Sequence, residues 1–281
     1  MYIYNYKTIG YRISNNLKQL NKEIMSNDNK TIHDFQFELI CDYFSRIDRQ
    51  GPGSLDVTKK ALSFITGLSE KSRIADIGCG TGKQTIYLAQ SVEGHITASD
   101  LFPGFIDRLQ NNIKKLGLQN RISAIVADMK ELPFSDEQFD LIWSEGAIYN
   151  IGFENGIKQW KKYLKPGGYI AVSEASWLTT SRPKEIEDYW MASYPEIDVI
   201  SAKIAQMEQA GYKCIASFIE PEECWTKEYF ALQSEIEEAF LSDHSNNQAA
   251  FDFVASEQNE RLLYEKYKDY YGYVFYIGKK L

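Results

Sequence analysis

The stretch ADIGCGTGKQT, residues 75–85, limits the fold more than any other part of this chain. An apolar run ends in an acid, Asp76. A loop with Gly78, Gly80 and Gly82 follows, and the residues after it have helical spacing. Glycines let the backbone take positive φ and let a ligand come close. A strand turning through such a loop into a helix opens a βαβ unit. The alternation continues downstream. HITASD predicts a strand, GFIDRLQNNIKKLGL a helix, and RISAIVAD and QFDLIWSEG two further strands. ENGIKQWKKYLKPGG predicts a helix closing on a Pro-Gly-Gly turn, and YIAVSEAS a strand. Right-handed crossovers make this an α/β, Rossmann-like, doubly wound parallel sheet. Ahead of it, IHDFQFELICDYFSRI and LDVTKKALSFITGL have helical spacing, with Ser54 the expected N-cap of the second. Behind it come a helix, a glycine turn and a strand in DVISAKIAQMEQAGYKCIASFIE, a helical stretch over 223–268, and a final strand, YGYVFYIGKK.

The loop matches neither common nucleotide fingerprint. A mononucleotide loop, G-x-x-x-x-G-K-[ST], would need glycine where Ile77 stands and Ser or Thr where Gln84 stands. A dinucleotide loop, G-x-G-x-x-G, would need glycine at Lys83. The pattern here is G-x-G-x-G after an acid. The following helix N-terminus suits a carboxylate, and Asp76 suits a cationic group. Asp100 closes the second strand, where an acid accepts hydrogen bonds from ribose hydroxyls. Asp128 closes the third. Three acids at successive strand ends around one glycine loop fit a ligand with an amine, a ribose and an adenine.

Charge excludes other classes. The formal net charge is -8 with no basic run, which disfavours nucleic acid. No apolar run reaches membrane-spanning length, so no membrane partner is expected. Cys41, Cys79, Cys214 and Cys224 form no C-x-x-C pair and the three histidines are scattered, so no metal site is expected. With no signal-peptide pattern, the cysteines read as free thiols in the cytoplasm.

The order ADIGCGTG … ASD … VAD … FDLIWSEGA … LKPGGYIAVSE, over about residues 72–176, resembles the class I S-adenosylmethionine-dependent methyltransferases of the UbiE-like type 11 sort. RQGPGS, WSEGAIYNIGF, SEASW and YKDYYGYVFYIG extend the resemblance to a group of uncharacterised bacterial methyltransferases. The resemblance implies a seven-stranded sheet, six strands parallel and the last antiparallel. It places Asp76, Gly78, Gly80 and Gly82 around the methionine part of the cofactor, with Cys79 a small loop residue among them. Asp100 would hold the ribose with Leu101 beside it, and Asp128 and Met129 the adenine. Ser144, Glu145 and Gly146 would lie beneath the transferable methyl, and S-adenosylhomocysteine would be the product. The run [ND]-P-P-[YF], which resembles amino-methylating DNA enzymes, is replaced here by SEGA.

Methyl transfer needs alignment above all, and a base only when the acceptor must lose a proton. Glu145 and Tyr149 are the candidate catalytic residues, with Asn150, Glu174 and Trp177 nearby in the pattern. Glu145 equally suits cofactor positioning or a helix cap, Glu174 a structural acid, and Tyr149 and Trp177 the core. Gln50, Gly51, Gly53 and Ser54 in RQGPGS are expected to close over the methionine end, unless the segment is only a helix–helix turn. His33 reads as a surface residue. The domain reading is a loosely ordered extension over 1–24 and a single domain over 25–281. Within it, 25–70 is a helical cap, 71–175 the cofactor-binding core and 176–281 an acceptor-side lid with the C-terminal strands. The aromatic segment 176–195 and the helices over 223–268 either roof an acceptor pocket or enlarge the core or a dimer face. The leading function is methyl transfer to a small-molecule acceptor. A protein methyltransferase, a non-catalytic cofactor-binding regulator and a nucleotide-dependent oxidoreductase are the alternatives.

Overall fold

The computed structural model of the chain describes residues 32–281, with side chains from Phe37 onward. The expected extension at 1–24 and the reading of His33 lie outside the described residues and side chains. Two helices come first, α1 (Ile32–Ser45) and α2 (Leu55–Leu62). Then β1 (Arg73–Ile77), α3 (Lys83–Ser91), β2 (His95–Asp100), α4 (Pro103–Lys115), β3 (Ile122–Val126) and β4 (Phe139–Glu145) alternate. After them come α5 (Phe153–Trp160), β5 (Leu164–Trp177), α6 (Lys184–Ser193), β6 (Asp198–Val199), α7 (Ile200–Gln209) and β7 (Tyr212–Ile219). Helical turns over 223–230 lead into α8 (Ala231–Asp243), α9 (Gln248–Tyr267) and β8 (Tyr271–Lys280).

The sheet order is β3-β2-β1-β4-β5-β8-β7. β1 to β5 pair in parallel, and β8 runs antiparallel between β5 and β7. Strand periodicity explains why both faces are dry. Side chains alternate across the sheet, so neighbouring apolar residues serve two cores. Ile74, Leu141, Trp143 and Ala171 pack under α2, α3 and α4, while Ala75, Ile142, Ile170 and Val172 pack under α5 and α7. Such continuous apolar strands belong to a parallel sheet covered on both sides. A third cluster is aromatic. Trp177, Trp190, Trp225, Tyr264 and Tyr271 form it, and Trp225 stacks on Tyr264 with ring centroids 4.4 Å apart.

Two expectations need correction. The helix ends at Trp160, and Pro166-Gly167-Gly168 lies within β5. There the pairing jumps from Phe139↔Leu164 to Leu141↔Tyr169, so the glycine turn is an excursion of the strand, with Gly167 at φ 72°. The sheet also has an eighth strand, β6, which pairs Asp198 and Val199 with Ser176 and Trp177. Two residues are too few for a period-2 signal.

Ser54 is the N-cap of α2, and its Oγ accepts the Val57 amide at 3.2 Å. Ser54→Ala is expected to cost about 1 kcal/mol, read as a lower urea midpoint with unchanged slope.

Candidate functional site

The glycine loop is fixed from behind. Gly78 and Cys79 amides donate to Ser99 O at 2.8 and 3.0 Å, and the Gly80 amide donates to Asp100 Oδ2 at 2.8 Å. The Thr81 amide donates to Gln50 Oε1 at 2.9 Å, and the Gly82 amide to Cys79 O at 3.0 Å. All five loop amides are thus bonded within the protein. The loop gives a ligand shape and close approach rather than its own N–H groups. Gly78 and Gly80 both have positive φ. A Cβ at Gly80 would stand 2.1 Å from Gln50 Oε1, and one at Gly78 2.4 Å from Ala147 Cβ.

A cavity of about 160 Å³ opens in front of this loop, at the carboxyl ends of the strands. That is where open α/β sheets bind ligands. Gln50, Gly51, Gly78, Gly80, Asp100 and Leu101 line one end, and Asp128, Met129, Glu145 and Tyr149 continue the wall. Asp100 Oδ1 accepts the Phe102 amide at 3.0 Å, which aims the carboxylate while leaving lone pairs for a ligand. Asp128 Oδ1 accepts the Lys130 amide at 2.9 Å.

Six predicted residues are brought near but do not line the cavity. Asp76 is buried behind the loop. Its Oδ2 accepts from Thr85 Oγ1 at 2.6 Å, while Oδ1 finds no donor among the described residues. Ser144 Oγ donates to Ile77 O at 2.7 Å and ties β4 to β1. Cys79 is a packed thiol, Gly82 starts α3, and Ser54 caps α2. Gly53 faces Arg49 and Glu145, and no side chain fits there: a Cβ would stand 1.7 Å from Arg49 Nη2.

Sequence reasoning missed Arg49. It is 3% exposed and lines the cavity. Its Nε donates to Gly51 O at 2.9 Å and its Nη2 to Pro52 O at 3.0 Å, and the guanidinium pairs with Glu145 Oε2. Nη1 is buried with no acceptor among the described residues. Glu145 Oε1 accepts from Trp143 Nε1 at 2.9 Å and from Thr58 Oγ1 at 3.2 Å. Gln50 performs the adjacent stitch. Its Nε2 reaches Phe44 O, Ile47 O and Thr81 Oγ1, each at 3.0 Å. The only sequence signal for Arg49 was its place beside two glycines. The far wall also carries Phe44 from α1, Asn150, Tyr229, and Phe253 and Glu257 from α9. The segment 176–195 contributes nothing to the lining, and Trp177 and Trp190 are core. Glu174 is buried and lies 3.6 Å from Lys203, away from the cavity.

Comparisons with known proteins agree with this geometry. Residues 74–168 match the family described as a methyltransferase domain. The chain is 27% identical over 131 residues to the methyltransferase GfsG of Streptomyces halstedii, covering 44% of this chain and 47% of that protein. It spans about half or less of the length of the first curated relatives it matches. Its fold superposes on a methyltransferase of Geobacter sulfurreducens, solved with S-adenosyl-L-homocysteine, with a TM-score of 0.75. That match has 19% identity and covers 87% of this chain and 98% of the other. The [4+2]-cyclase SpnF also shares the fold, with a TM-score of 0.68, 18% identity, and coverage of 89% and 93%. Residues 74–168 therefore match a methyltransferase domain, and the chain shares its fold with a solved S-adenosylmethionine-dependent methyltransferase.

Burial sets the acid–base behaviour of the site. It pushes Asp76 up to about 7, Asp100 up to about 6 and Glu220, a buried acid just after β7 that does not line the cavity, up to about 8. The folded protein therefore keeps protons that the unfolded chain releases near pH 4. Stability of the ligand-free protein should fall as pH rises from about 4 to 8, with Tm lower by about 5 °C at pH 8.5 than at 5.5. Asp76→Asn should flatten the profile. A Tm that rises with pH would refute the assignment.

Proposed function

We propose that this chain is an S-adenosylmethionine-dependent methyltransferase acting on a small-molecule acceptor. The single observation that carries the reading is Asp100, lining the cavity with its carboxylate aimed by the Gly80 and Phe102 amides. That is the arrangement a ribose needs. The other residues fit the remaining parts of the cofactor. Arg49 Nη1 is a buried donor without an acceptor among the described residues, and a methionine carboxylate would supply one. Because the loop amides are occupied, Arg49 is the better anchor for that group. Asp128 and Met129 would hold the adenine, with Leu101 and Phe102 beside it. Asp76 stands behind the loop as the acid nearest the methionine end.

S-adenosylmethionine, when bound, supplies an electrophilic methyl group on a sulfonium sulfur. The chain's own contribution is alignment and exclusion of water. Glu145 serves placement rather than proton removal in this reading, since both its oxygens are engaged by Arg49, Thr58 and Trp143. It holds the segment 49–54 over the cofactor end. Tyr149 lies farther along the same wall, and burial pushes its phenol up, so it serves as a protonated hydroxyl. The far end is roofed by Tyr229 and Phe253, which are 1% and 6% exposed. Such a roof favours a small acceptor over a protein side chain and favours in-line transfer in a dry pocket.

Calorimetry tests the reading directly. S-adenosylhomocysteine should bind with micromolar affinity, and NAD should not bind. Asp100→Ala should weaken S-adenosylhomocysteine by about tenfold to a hundredfold, the worth of a hydrogen bond to a charged group. Absence of binding, or binding of NAD in its place, would overturn the proposal.

A further inference from the structure

The strand order gives the cavity two ends. On one side of β1, β2 and β3 lead to Asp100 and Asp128, and on the other β4 leads to Glu145 and the turn beyond it. The charged groups of this second end are engaged within the chain. Arg49 and Glu145 pair with each other, and the cofactor reading already uses Arg49 Nη1. Glu257 accepts from Gln233 Nε2 at 2.7 Å and, as Tyr149 does, makes further interactions. Asn150 differs from them. It ends the helical turn Ile148–Asn150 and lines the cavity. Its backbone amide and its Nδ2 both donate to Ala147 O, at 3.1 and 2.9 Å. That double contact fixes the side-chain amide, since the reversed orientation would set Oδ1 against a carbonyl oxygen. Oδ1 is then a buried acceptor with no donor among the described residues. An acceptor left in that state is costly, so a ligand that brings a donor is favoured there.

The surrounding walls are aromatic. Phe44 on α1 and Phe253 on α9 meet edge to face with ring centroids 6.1 Å apart, and both line the cavity beside Tyr229. Such walls suit a flat apolar body. Asn150 Oδ1 gives that body a fixed polar contact, and each acceptor chemistry meets it differently. An O–H or N–H group donates to it. A carboxylate brings only lone pairs and is repelled. An ether, a thioether or a tertiary amine leaves it unpaired. A site whose buried polar group an analogue leaves unpaired discriminates against that analogue strongly.

We infer that Asn150 selects the methyl acceptor, its Oδ1 taking the hydrogen bond of a neutral O–H or N–H group on a flat apolar molecule. The inference rests on the methyltransferase reading above. Asn150 is a specificity-determining residue. A side-chain amide is no base, so it orients the donor group and does not take its proton. Acceptors with a lone pair but no hydrogen, such as thioethers and tertiary amines, fall outside the class. A hydroxyl acceptor loses its donor on methylation, so the ether it becomes is held less tightly than the substrate.

The test is calorimetry on the full chain saturated with S-adenosylhomocysteine, using 4-ethylphenol, 4-ethylaniline and 4-ethylanisole, which share a body and differ in the donor. At least one donor probe should bind about fivefold or more tighter than the anisole. The tighter of the two assigns the group as O–H or N–H. Asn150→Leu should bring all three probes within about twofold of one another and leave S-adenosylhomocysteine affinity within about twofold. Should that variant fail to fold, Asn150→Ala carries the same expectation. An anisole within about fivefold of both donor probes overturns the inference, as does a preference that survives in the variant. Binding of none of the three to the cofactor-loaded protein overturns it as well. Failure of S-adenosylhomocysteine itself to bind overturns the cofactor reading, and the inference falls with it.

Discussion

The buried pair of Arg49 and Glu145 holds together the parts that make the site. Removing both charges from water is costly, and their attraction offsets that cost only when further hydrogen bonds complete them. Here most of them are in place: Gly51 O and Pro52 O accept from the guanidinium, Trp143 and Thr58 donate to the carboxylate, and Arg49 Nη1 alone of the pair's polar atoms has no partner among the described residues. The arginine thereby folds the segment 49–54 around itself and fastens it to the end of β4. Gln50 fastens the same segment to the glycine loop through Thr81. Two adjacent residues join the N-terminal helices to two strand ends. Gly53 has to lack a side chain for the packing to close, since a Cβ there would stand 2.8 Å from Glu145 Oε2.

The sheet supplies rigidity and the strand ends supply chemistry. Both faces of β1, β4 and β5 are sealed by helices, so the loops at their carboxyl ends start from fixed points. The acids there are pushed up by burial in the ligand-free protein. A cofactor that brings a positive charge and hydroxyl donors would favour their ionised forms. Binding and protonation are then linked, and the site is least stable where it is most ready to bind. A glycine loop and a set of strand-end acids do not by themselves name a reaction, as the shared fold of a named cyclase illustrates.

Local patterns were the readable part of the sequence. β2 runs over His95–Asp100 as expected, and Asp100 stands at the cavity as its strand-end position requires, while Asp128, expected to close β3, lines the cavity from the loop two residues beyond it, since β3 ends at Val126. Ser54 caps its helix for the same local reason. Contacts between distant residues were not readable. Glu145 read from the sequence either as a base or as an acid that positions the cofactor or caps a helix; its pairing with Arg49, in the segment before α2, has no local signal in the sequence. Aromatic content was ambiguous in the same way. Trp177 and Trp190 are core alone, while Tyr229 and Phe253, also buried in aromatic clusters, present part of their surface to the cavity, and only packing decides the difference. The Pro-Gly-Gly turn misled because a glycine at positive φ serves a strand excursion as well as a helix end.

The most direct measurement is a crystal structure of the full chain with S-adenosylhomocysteine. The account predicts ribose hydroxyls on Asp100, the adenine beside Asp128 and Met129, and the amino-acid carboxylate on Arg49 Nη1, with the Arg49–Glu145 pair intact. A nucleoside bound elsewhere, or a carboxylate held by the loop amides with Arg49 unengaged, would contradict it.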